Sequence, residues 1–186
     1  WYLGERLYKE LEKKEPYSHG KPGFLHQEIP VVEPEKLHQV LSYVREKGIL
    51  MGLGTGRPYI EMEIPLKELG LLSYFDPNRV VSATEVVQAE ERYPERAPLG
   101  KPHPFTYIKG YLGKNADDAQ VLKASLPLED GQQVLIVGDS VADLLAARKM
   151  GCRFAATLTG LTGQAARSKF EELQADYILD DVTQLP

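Results

Sequence analysis

Two carboxylates follow the most apolar run of this sequence. Asp139 lies just beyond the run 134–137, and Asp143 follows four residues later. A short apolar run without polar alternation is typical of a strand covered on both faces, and ligands of such sheets bind beyond the carboxyl ends of the strands. Carboxylates at that edge can bind a hard divalent cation such as Mg²⁺. The two side chains are therefore candidate metal ligands.

The same segment also has a purely structural interpretation. Residues 140–143 read Ser-Val-Ala-Asp, which fits a helix capping box with Asp in place of Glu. In this interpretation Asp143 only satisfies backbone amides of its own helix. Capping does not account for Asp139, which precedes the cap and ends the strand.

Two further segments could contact an anion. Glycines around Thr55 in residues 52–58 let the backbone approach a ligand closely, and the Thr55 hydroxyl and nearby amides could bind an anion at a helix start. Equally, Thr55 could merely cap that helix. Residues 100–104 fix Lys101 in a rigid Gly/Pro turn, where its ammonium could act as a point charge on a phosphoryl oxygen, although most loop lysines are simply solvated.

The elements that must position these residues alternate between strand and helix from residue 34 onward. Apolar runs predict strands over 49–53, 79–83, 134–137, 154–157 and 177–179, and periodicity predicts helices over 34–47, 57–69, 105–112, 165–173 and up to Gly151. This order indicates an α/β three-layer domain with a mostly parallel sheet. Residues 88–96 are predicted to be a solvated loop. Ahead of this domain we expect an amphipathic helix over 2–14 and a linker over 16–33.

The composition excludes several classes of protein. The 186 residues are 42% hydrophobic and 26% charged, which is typical of one globular domain or a domain with an appendage. The formal charge of -5 argues against a nucleic-acid partner or an anionic membrane. No apolar run approaches the ~20 residues of a membrane span and no signal peptide is recognised, so a cytoplasmic protein is expected.

Cysteine and histidine offer no further chemistry in the sequence. Cys152 lies in an apolar run and is expected to be a small buried hydrophobe in a reducing compartment. The histidines have no partner at metal-ligand spacing and are interpreted as structural or surface residues; they are His19, His26, His38 and His103.

Three motifs in series resemble those of the haloacid dehalogenase (HAD) superfamily. Gly-Thr-Gly at 54–56, Gly-Lys-Pro at 100–102 and Gly-Asp-Ser-Val-Ala-Asp at 138–143 are similar to its second, third and fourth motifs, most closely those of phosphoglycolate-phosphatase-type hydrolases. The connecting segments 69–76, 81–83 and 146–151 are similar to the family's as well. The resemblance covers about residues 34–186.

The resemblance implies a Mg²⁺-dependent phosphatase that acts on a small phosphorylated metabolite, built on a Rossmann-like core with a helical cap. Carried over by position, Thr55 and Gly56 would bind the phosphoryl group and Lys101 would neutralise it. Asp139 would bind Mg²⁺, and Asp143 would support the metal site or orient Lys101. Residues 1–33 would be the remnant of the cap domain with its linker, and residues 34–186 the core.

One motif of the family has no counterpart in the sequence. Family enzymes begin with a strand ending in Asp-x-Asp, which supplies the nucleophile of an aspartyl-phosphate intermediate and the general acid and base. No such segment precedes residue 34, and Asp180 and Asp181 lack the intervening residue. In the family this strand lies in the middle of the sheet, here between the strands predicted over 49–53 and 134–137. We therefore expect this sequence to be the carboxyl-terminal part of a longer gene product and to be inactive alone.

Two other functions are compatible with the residues. A relative that has lost its nucleophile could bind a phospho-ligand or a partner protein without catalysis. The glycines at 52, 54 and 56 could form a dinucleotide loop, but the usual fingerprint is G-x-G-x-x-G, and this reading leaves Lys101 and Asp139 unexplained.

Overall fold

The structure is a computed structural model that describes residues 28–185. The helix predicted over 2–14 and most of the linker predicted over 16–33 lie outside these residues. The helices are α1 (Pro34–Glu46), α2 (Tyr59–Glu68), α3 (Ala83–Arg92), α4 (Phe105–Leu112), α5 (Asp118–Leu122), α6 (Val141–Met150) and α7 (Arg167–Glu172). The strands are β1 (Leu53–Gly54), β2 (Val80–Val81), β3 (Leu135–Gly138), β4 (Arg153–Thr157) and β5 (Tyr177–Leu179).

All strand pairs in the described residues are parallel, which confirms the predicted α/β class. β1 pairs with β2 in one sheet, and β3, β4 and β5 form a second sheet in that order. In the second sheet Ile136 lies opposite Phe154, and Ala155 lies opposite Tyr177. Strands alternate with helices along the chain, as crossover connections between parallel strands require.

The hydrophobic core lies around the second sheet and the helices that cover it. Large side chains that are almost completely buried include Phe105, Leu144, Phe154 and Phe170, and the rings of the last two have centroids 6.0 Å apart. Cys152 is 1% exposed, and burial raises the pKa of its thiol to about 11. The prediction of a small buried hydrophobe is therefore confirmed, and a thiol so protonated is a poor nucleophile.

The turn from β3 into α6 carries the predicted carboxylates. Ser140 is the N-cap of α6, with its hydroxyl accepting from the Asp143 N–H at 3.2 Å. The helix ends at Gly151, whose φ of 72° is left-handed and suits glycine. Asp139 is thus fixed just beyond the strand and Asp143 in the first turn of the helix.

The two sheets share no hydrogen-bonded strand pair in the described part of the chain. In this part of the chain, residues 28–185, β1 has a partner on one side only, and so does β3. Apolar side chains are exposed at or just before these two strands: Ile49 is 56% exposed, Leu50 is 60% exposed and Leu135 is 42% exposed. Both the unpaired strand edges and these side chains are unusual for the interior of a parallel sheet.

The prediction of a strand over residues 49–53 is wrong for most of that range. Only Leu53 of that run is in a strand, which continues to Gly54, and β2 is limited to Val80–Val81. A strand needs a hydrogen-bonded neighbour as well as apolar residues, and residues 49–52 have no ladder partner among the described residues. The other predicted strands are confirmed to within a residue or two.

The predicted solvated loop over 88–96 is also wrong. Residues up to Arg92 belong to α3, and a short 3₁₀ turn follows at Pro94–Arg96. The helix begins with a capping box in which the Ser82 hydroxyl accepts from Thr84 N–H at 3.2 Å and Glu85 accepts from Ser82 N–H at 2.7 Å. This Ser-x-x-Glu signal marks the helix start, and the mixed charges that follow form its exposed face.

Among residues 28–185, no helix has the length and apolar character required to cross a lipid bilayer.

Glu85 gives the fold a pH-dependent contribution. Burial raises the pKa of its carboxyl, but hydrogen bonds from Ser82 and the ion pair with Lys114 at 2.9 Å outweigh burial and hold the pKa below its ordinary 4.5. Because the folded-state pKa lies below the unfolded-state value, this stabilisation is present above about pH 4.5 and is lost as the pH falls through the folded-state pKa.

We therefore expect Glu85→Gln, which keeps an acceptor oxygen but loses the charge, to lower the free energy of unfolding by about 1 kcal/mol near neutral pH. The difference from wild type should shrink as the pH falls below the ordinary pKa, as measured by urea unfolding at several pH values. Glu129→Gln changes an exposed carboxylate with no ion pair in the described residues and serves as the control. A loss that stayed constant into the acidic range would contradict this assignment.

Candidate functional site

Lys101 and Asp143 form an ion pair between two elements that are distant in sequence. The Lys101 Nζ lies 2.7 Å from Asp143 Oδ1. Lys101 belongs to the turn before α4, and its side chain is 22% exposed, whereas the Asp143 side chain is 4% exposed. The structure thus brings the Lys101 turn, residues 100–104, into direct contact with the segment 138–143.

The other oxygen of Asp143 is bound within its own helix start. Asp143 Oδ2 accepts from the Ser140 hydroxyl at 2.8 Å and from the Ser140 N–H at 3.3 Å. Gly138 leaves room for this carboxylate, because a Cβ at that position would lie 2.7 Å from Asp143 Cβ. The capping interpretation of Asp143 is therefore correct, and the same side chain also holds Lys101.

The protonation state of Asp143 follows from these contacts. Burial raises the pKa of the carboxyl, but the hydrogen bond and charge of Lys101 and the hydrogen bonds from Tyr107 and Ser140 outweigh burial, so the pKa lies below its ordinary value. Asp143 is therefore a carboxylate at neutral pH and keeps Lys101 beside it.

Tyr107 is a member of this cluster that sequence reasoning missed. Its hydroxyl donates to Asp143 Oδ1 at 2.7 Å and lies 3.5 Å from Lys101 Nζ, which is 5.5 Å from the centroid of the Tyr107 ring. Burial, followed by the negative charges of Asp143 and Asp139, raises the pKa of the phenol above its ordinary value. No local signal marks Tyr107, since its partner Asp143 is 36 residues away in sequence.

Thr55 lies directly after β1, beside the same cluster. Its N–H donates to Val81 O at 3.0 Å, and its hydroxyl accepts from Arg57 N–H at 3.1 Å. Helix α2 begins after Pro58, so the hydroxyl closes a local turn and does not cap the helix. The preceding Gly54 packs on Tyr107, because a Cβ there would lie 2.8 Å from the ring carbon Cε1.

Gly56 lies in the exposed part of this loop. Apart from Gly56 and its two chain neighbours, no described residue has a heavy atom within 4 Å of the position that a Cβ on Gly56 would occupy. This side of the loop is therefore open to a ligand as far as residues 28–185 are concerned.

Asp139 is exposed at the carboxyl end of β3. Within residues 28–185 its carboxylate makes no hydrogen bond and no ion pair. Gly160 packs against it, since a Cβ on Gly160 would lie 2.8 Å from Asp139 O and 3.1 Å from its Oδ2. Its charge adds to the effect of burial and of Asp143 in raising the pKa of the Tyr107 phenol, so Asp139 lies within electrostatic reach of the cluster.

The carboxylates of Asp139 and Asp143 can be compared with the oxygen ligands that Mg²⁺ requires. An exposed carboxylate without a protein partner, as at Asp139, suits a hard cation that keeps several water ligands. Both oxygens of Asp143 are already engaged, so direct ligation by Asp143 would cost one of these bonds. Among the described residues no group of three or more His, Cys, Asp or Glu side chains comes together as a metal site.

The two histidines in the described range have structural roles. His38 contacts Tyr74 Oη at 3.0 Å and Leu69 O at 2.9 Å, and His103 Nδ1 accepts from Phe105 N–H at 3.2 Å at the start of α4. His19 and His26 lie outside the described residues.

A polar cavity of about 360 Å³ is lined by none of the candidate site residues. Five of its six charged side chains are paired with one another: Lys109 contacts Asp118 at 2.6 Å, Arg92 contacts Asp118 at 2.7 Å, and Lys114 contacts Glu85 at 2.9 Å. These pairs connect α3, α4 and the start of α5. The sixth, Asp117, accepts from Ala119 N–H at 2.8 Å, so three cations and three carboxylates line the cavity and no net charge is left for a ligand. The cavity is therefore a structural feature.

The chain is similar to one protein family model and to several proteins of known structure. A family model for HAD-hydrolase-like proteins matches residues 98–185. A crystal structure of a Northeast Structural Genomics Consortium target is 40% identical, with a TM-score of 0.94 over 100% of this chain. The chain spans 49% of the length of that protein. No curated protein matches the sequence.

Two further solved structures share the fold at lower identity. A conserved haloacid dehalogenase-like protein of unknown function from Agrobacterium tumefaciens is 18% identical, with a TM-score of 0.61 over 88% of this chain and 61% of its own. A candidate beta-phosphoglucomutase from Thermotoga maritima is 20% identical, with a TM-score of 0.54 over 81% of this chain and 56% of its own. Both likenesses support the Rossmann-like core.

Proposed function

Because this chain belongs to the haloacid dehalogenase superfamily, we propose that it is the core of a Mg²⁺-dependent phosphatase acting on a small phosphorylated metabolite. The observation that carries the proposal is the Lys101–Asp143 ion pair, held beside the exposed carboxylate of Asp139 at the end of β3. A fixed cation, a hydroxyl at Thr55 and a free carboxylate suit a phosphoryl group with its metal ion.

Each residue has a defined role in this proposal. The Lys101 ammonium offsets the charge of the phosphoryl oxygens, and the Thr55 hydroxyl donates to one of them while Gly56 leaves room for the group. Asp143 keeps Lys101 in place. Asp139 would be the protein ligand of Mg²⁺, which supplies charge neutralisation at the phosphoryl group when bound.

The nucleophile is proposed to come from a segment outside this sequence. Its carboxylate would attack phosphorus and form an acyl phosphate as the alcohol leaves with a proton from a neighbouring acid. Water would then attack phosphorus, releasing phosphate and restoring the carboxylate. The support is structural: among residues 28–185 β1 and β3 each have one edge without a strand partner, and Ile49 and Leu50 are exposed beside β1.

The proposed strand can be tested in the protein that includes the preceding coding sequence. That sequence should contain Asp-x-Asp at the end of an apolar run. Hydrogen exchange should then show the amides of β1 and β3 as protected as those of β4, which has partners on both sides. Exchange of β1 and β3 as fast as at β5, whose pairing is one-sided here, would contradict a strand between the two sheets.

We expect Asp139→Asn in the same protein to abolish Mg²⁺-dependent hydrolysis of p-nitrophenyl phosphate and to weaken Mg²⁺ binding in calorimetry. Because the Asp139 side chain is exposed and has no partner in the described residues, the melting temperature should not change. The control is Asp130→Asn, an exposed aspartate whose side chain accepts, within residues 28–185, a single hydrogen bond from Gln133 at 3.4 Å. Full activity of Asp139→Asn would refute the metal assignment, whereas absence of hydrolysis in the wild-type protein would favour a non-catalytic module.

Lys101→Met should lower turnover by about 10²- to 10³-fold, the usual cost of removing a charge that stabilises the transition state. It should also lower stability by about 1–3 kcal/mol, because the nearly buried Asp143 loses its cation. Turnover and thermal unfolding measure the two effects.

A double variant separates these effects. Lys101→Met with Asp143→Asn removes the uncompensated charge, so it should recover much of the stability while turnover stays low. The control is Lys123→Met, an exposed lysine without an ion pair in residues 28–185. Unchanged turnover in Lys101→Met would show that the lysine does not act on substrate.

A further inference from the structure

Tyr107 connects the segments that carry the proposed phosphoryl contacts. Its hydroxyl donates to Asp143 on α6, its oxygen lies 3.5 Å from Lys101 Nζ before α4, and its ring packs on Gly54 at the end of β1. These three neighbours come from three different elements of the fold. A change in the position of Tyr107 would therefore alter the spacing between them.

The hydroxyl controls how strongly Asp143 holds Lys101. A phenol has one proton to donate, and here it goes to Asp143 Oδ1 at 2.7 Å, the same oxygen that Lys101 contacts at 2.7 Å. The carboxylate oxygen thus has two donors and does not depend on the ammonium alone. Lys101 has three N–H donors, and those not directed at Asp143 stay available for a phosphoryl oxygen.

The ring controls the position of the Thr55 loop relative to Lys101. A Cβ on Gly54 would come within 2.8 Å of the Tyr107 ring, so the backbone and the ring are already in close contact. The same ring lies under the Lys101 ammonium, 5.5 Å from its centroid. The ring thus contacts both the ammonium and the backbone that leads to Thr55.

We propose that Tyr107 is a positioning residue that sets the spacing between the Lys101 ammonium and the Thr55 loop, and thereby the affinity of the site for a phosphoryl group. This inference rests on the proposed function, because it takes Lys101 and Thr55 as the phosphoryl contacts. Tyr107 acts through these neighbours and is assigned no contact with substrate.

The test uses Tyr107→Phe in the protein that includes the preceding segment, with inorganic phosphate as the probe. The ring stays while the donor is lost, so the dissociation constant for phosphate should rise about tenfold, as expected when a hydrogen bond to a charged group is removed. kcat/KM for p-nitrophenyl phosphate should fall by at least as much. The control is Tyr111→Phe on the same helix, whose hydroxyl has no hydrogen bond in the part of the chain that the structure describes.

A second variant tests the ring without touching the hydroxyl. Gly54→Ala introduces a methyl group at 2.8 Å from the ring and should displace it, so phosphate binding should weaken here as well. Phosphate affinity is measured on folded protein, so a residue with a merely structural role would change the melting temperature but not this affinity.

The possible results are distinct. Wild-type phosphate affinity in Tyr107→Phe would overturn the inference, whatever its stability. If the wild-type protein binds phosphate but hydrolyses no phosphate monoester, the proposed function fails, while the ratio of affinities still decides the role of Tyr107. If the wild-type protein does not bind phosphate, both are overturned.

Discussion

The carboxylate of Asp143 is the group on which the candidate site depends. It is 4% exposed and ionised, and a buried charge is tolerated only when donors surround it. Its three donors are Ser140 at the N-cap of α6, Lys101 in the turn before α4 and Tyr107 in α4 itself. The electrostatic need of one side chain therefore fixes the relative positions of these elements at the edge of the sheet.

Helix α4 is held by a second buried ion pair at its far end. Lys109 Nζ contacts Asp118 Oδ1 at 2.6 Å and donates to Ala116 O at 2.9 Å, and Arg92 binds the other oxygen of Asp118. Helix α4 thus contacts α6 through Tyr107 and contacts α5 through Lys109. Phe105 and Ile108 of the same helix pack into the core, so the helix has little freedom to shift.

The sequence predicted those parts of the structure that depend on local signals. The apolar run before Gly138, the cap at Ser140 and the glycine at 151 define β3 and α6 without reference to the rest of the chain. Lys101 could be located in its turn in the same way. Local signals did not identify the partner of Lys101. The capping box already accounts for an aspartate at position 143, so the local pattern gives no sign that Asp143 also forms an ion pair.

The incorrect predictions have physical reasons as well. Residues 49–52 are apolar enough for a strand, but strand formation depends on a neighbour that periodicity does not reveal. The segment after Gln88 has mixed charges, which suit the exposed face of a helix as well as a loop. The capping box formed by Ser82 and Glu85 is the sequence signal that favours the helix. Tyr107 was not identified because its partner is on another helix.

The two aspartates of the β3–α6 turn are constrained in different ways, and this has an evolutionary consequence. Asp143 contributes to the folded state through its cap and its ion pair, so selection for folding alone would retain it. Asp139 has no such bond in the described residues, and a lineage that no longer used the site could replace it at no cost to the fold. If a descendant of this protein lost the proposed activity, substitutions would therefore be expected at position 139 before position 143.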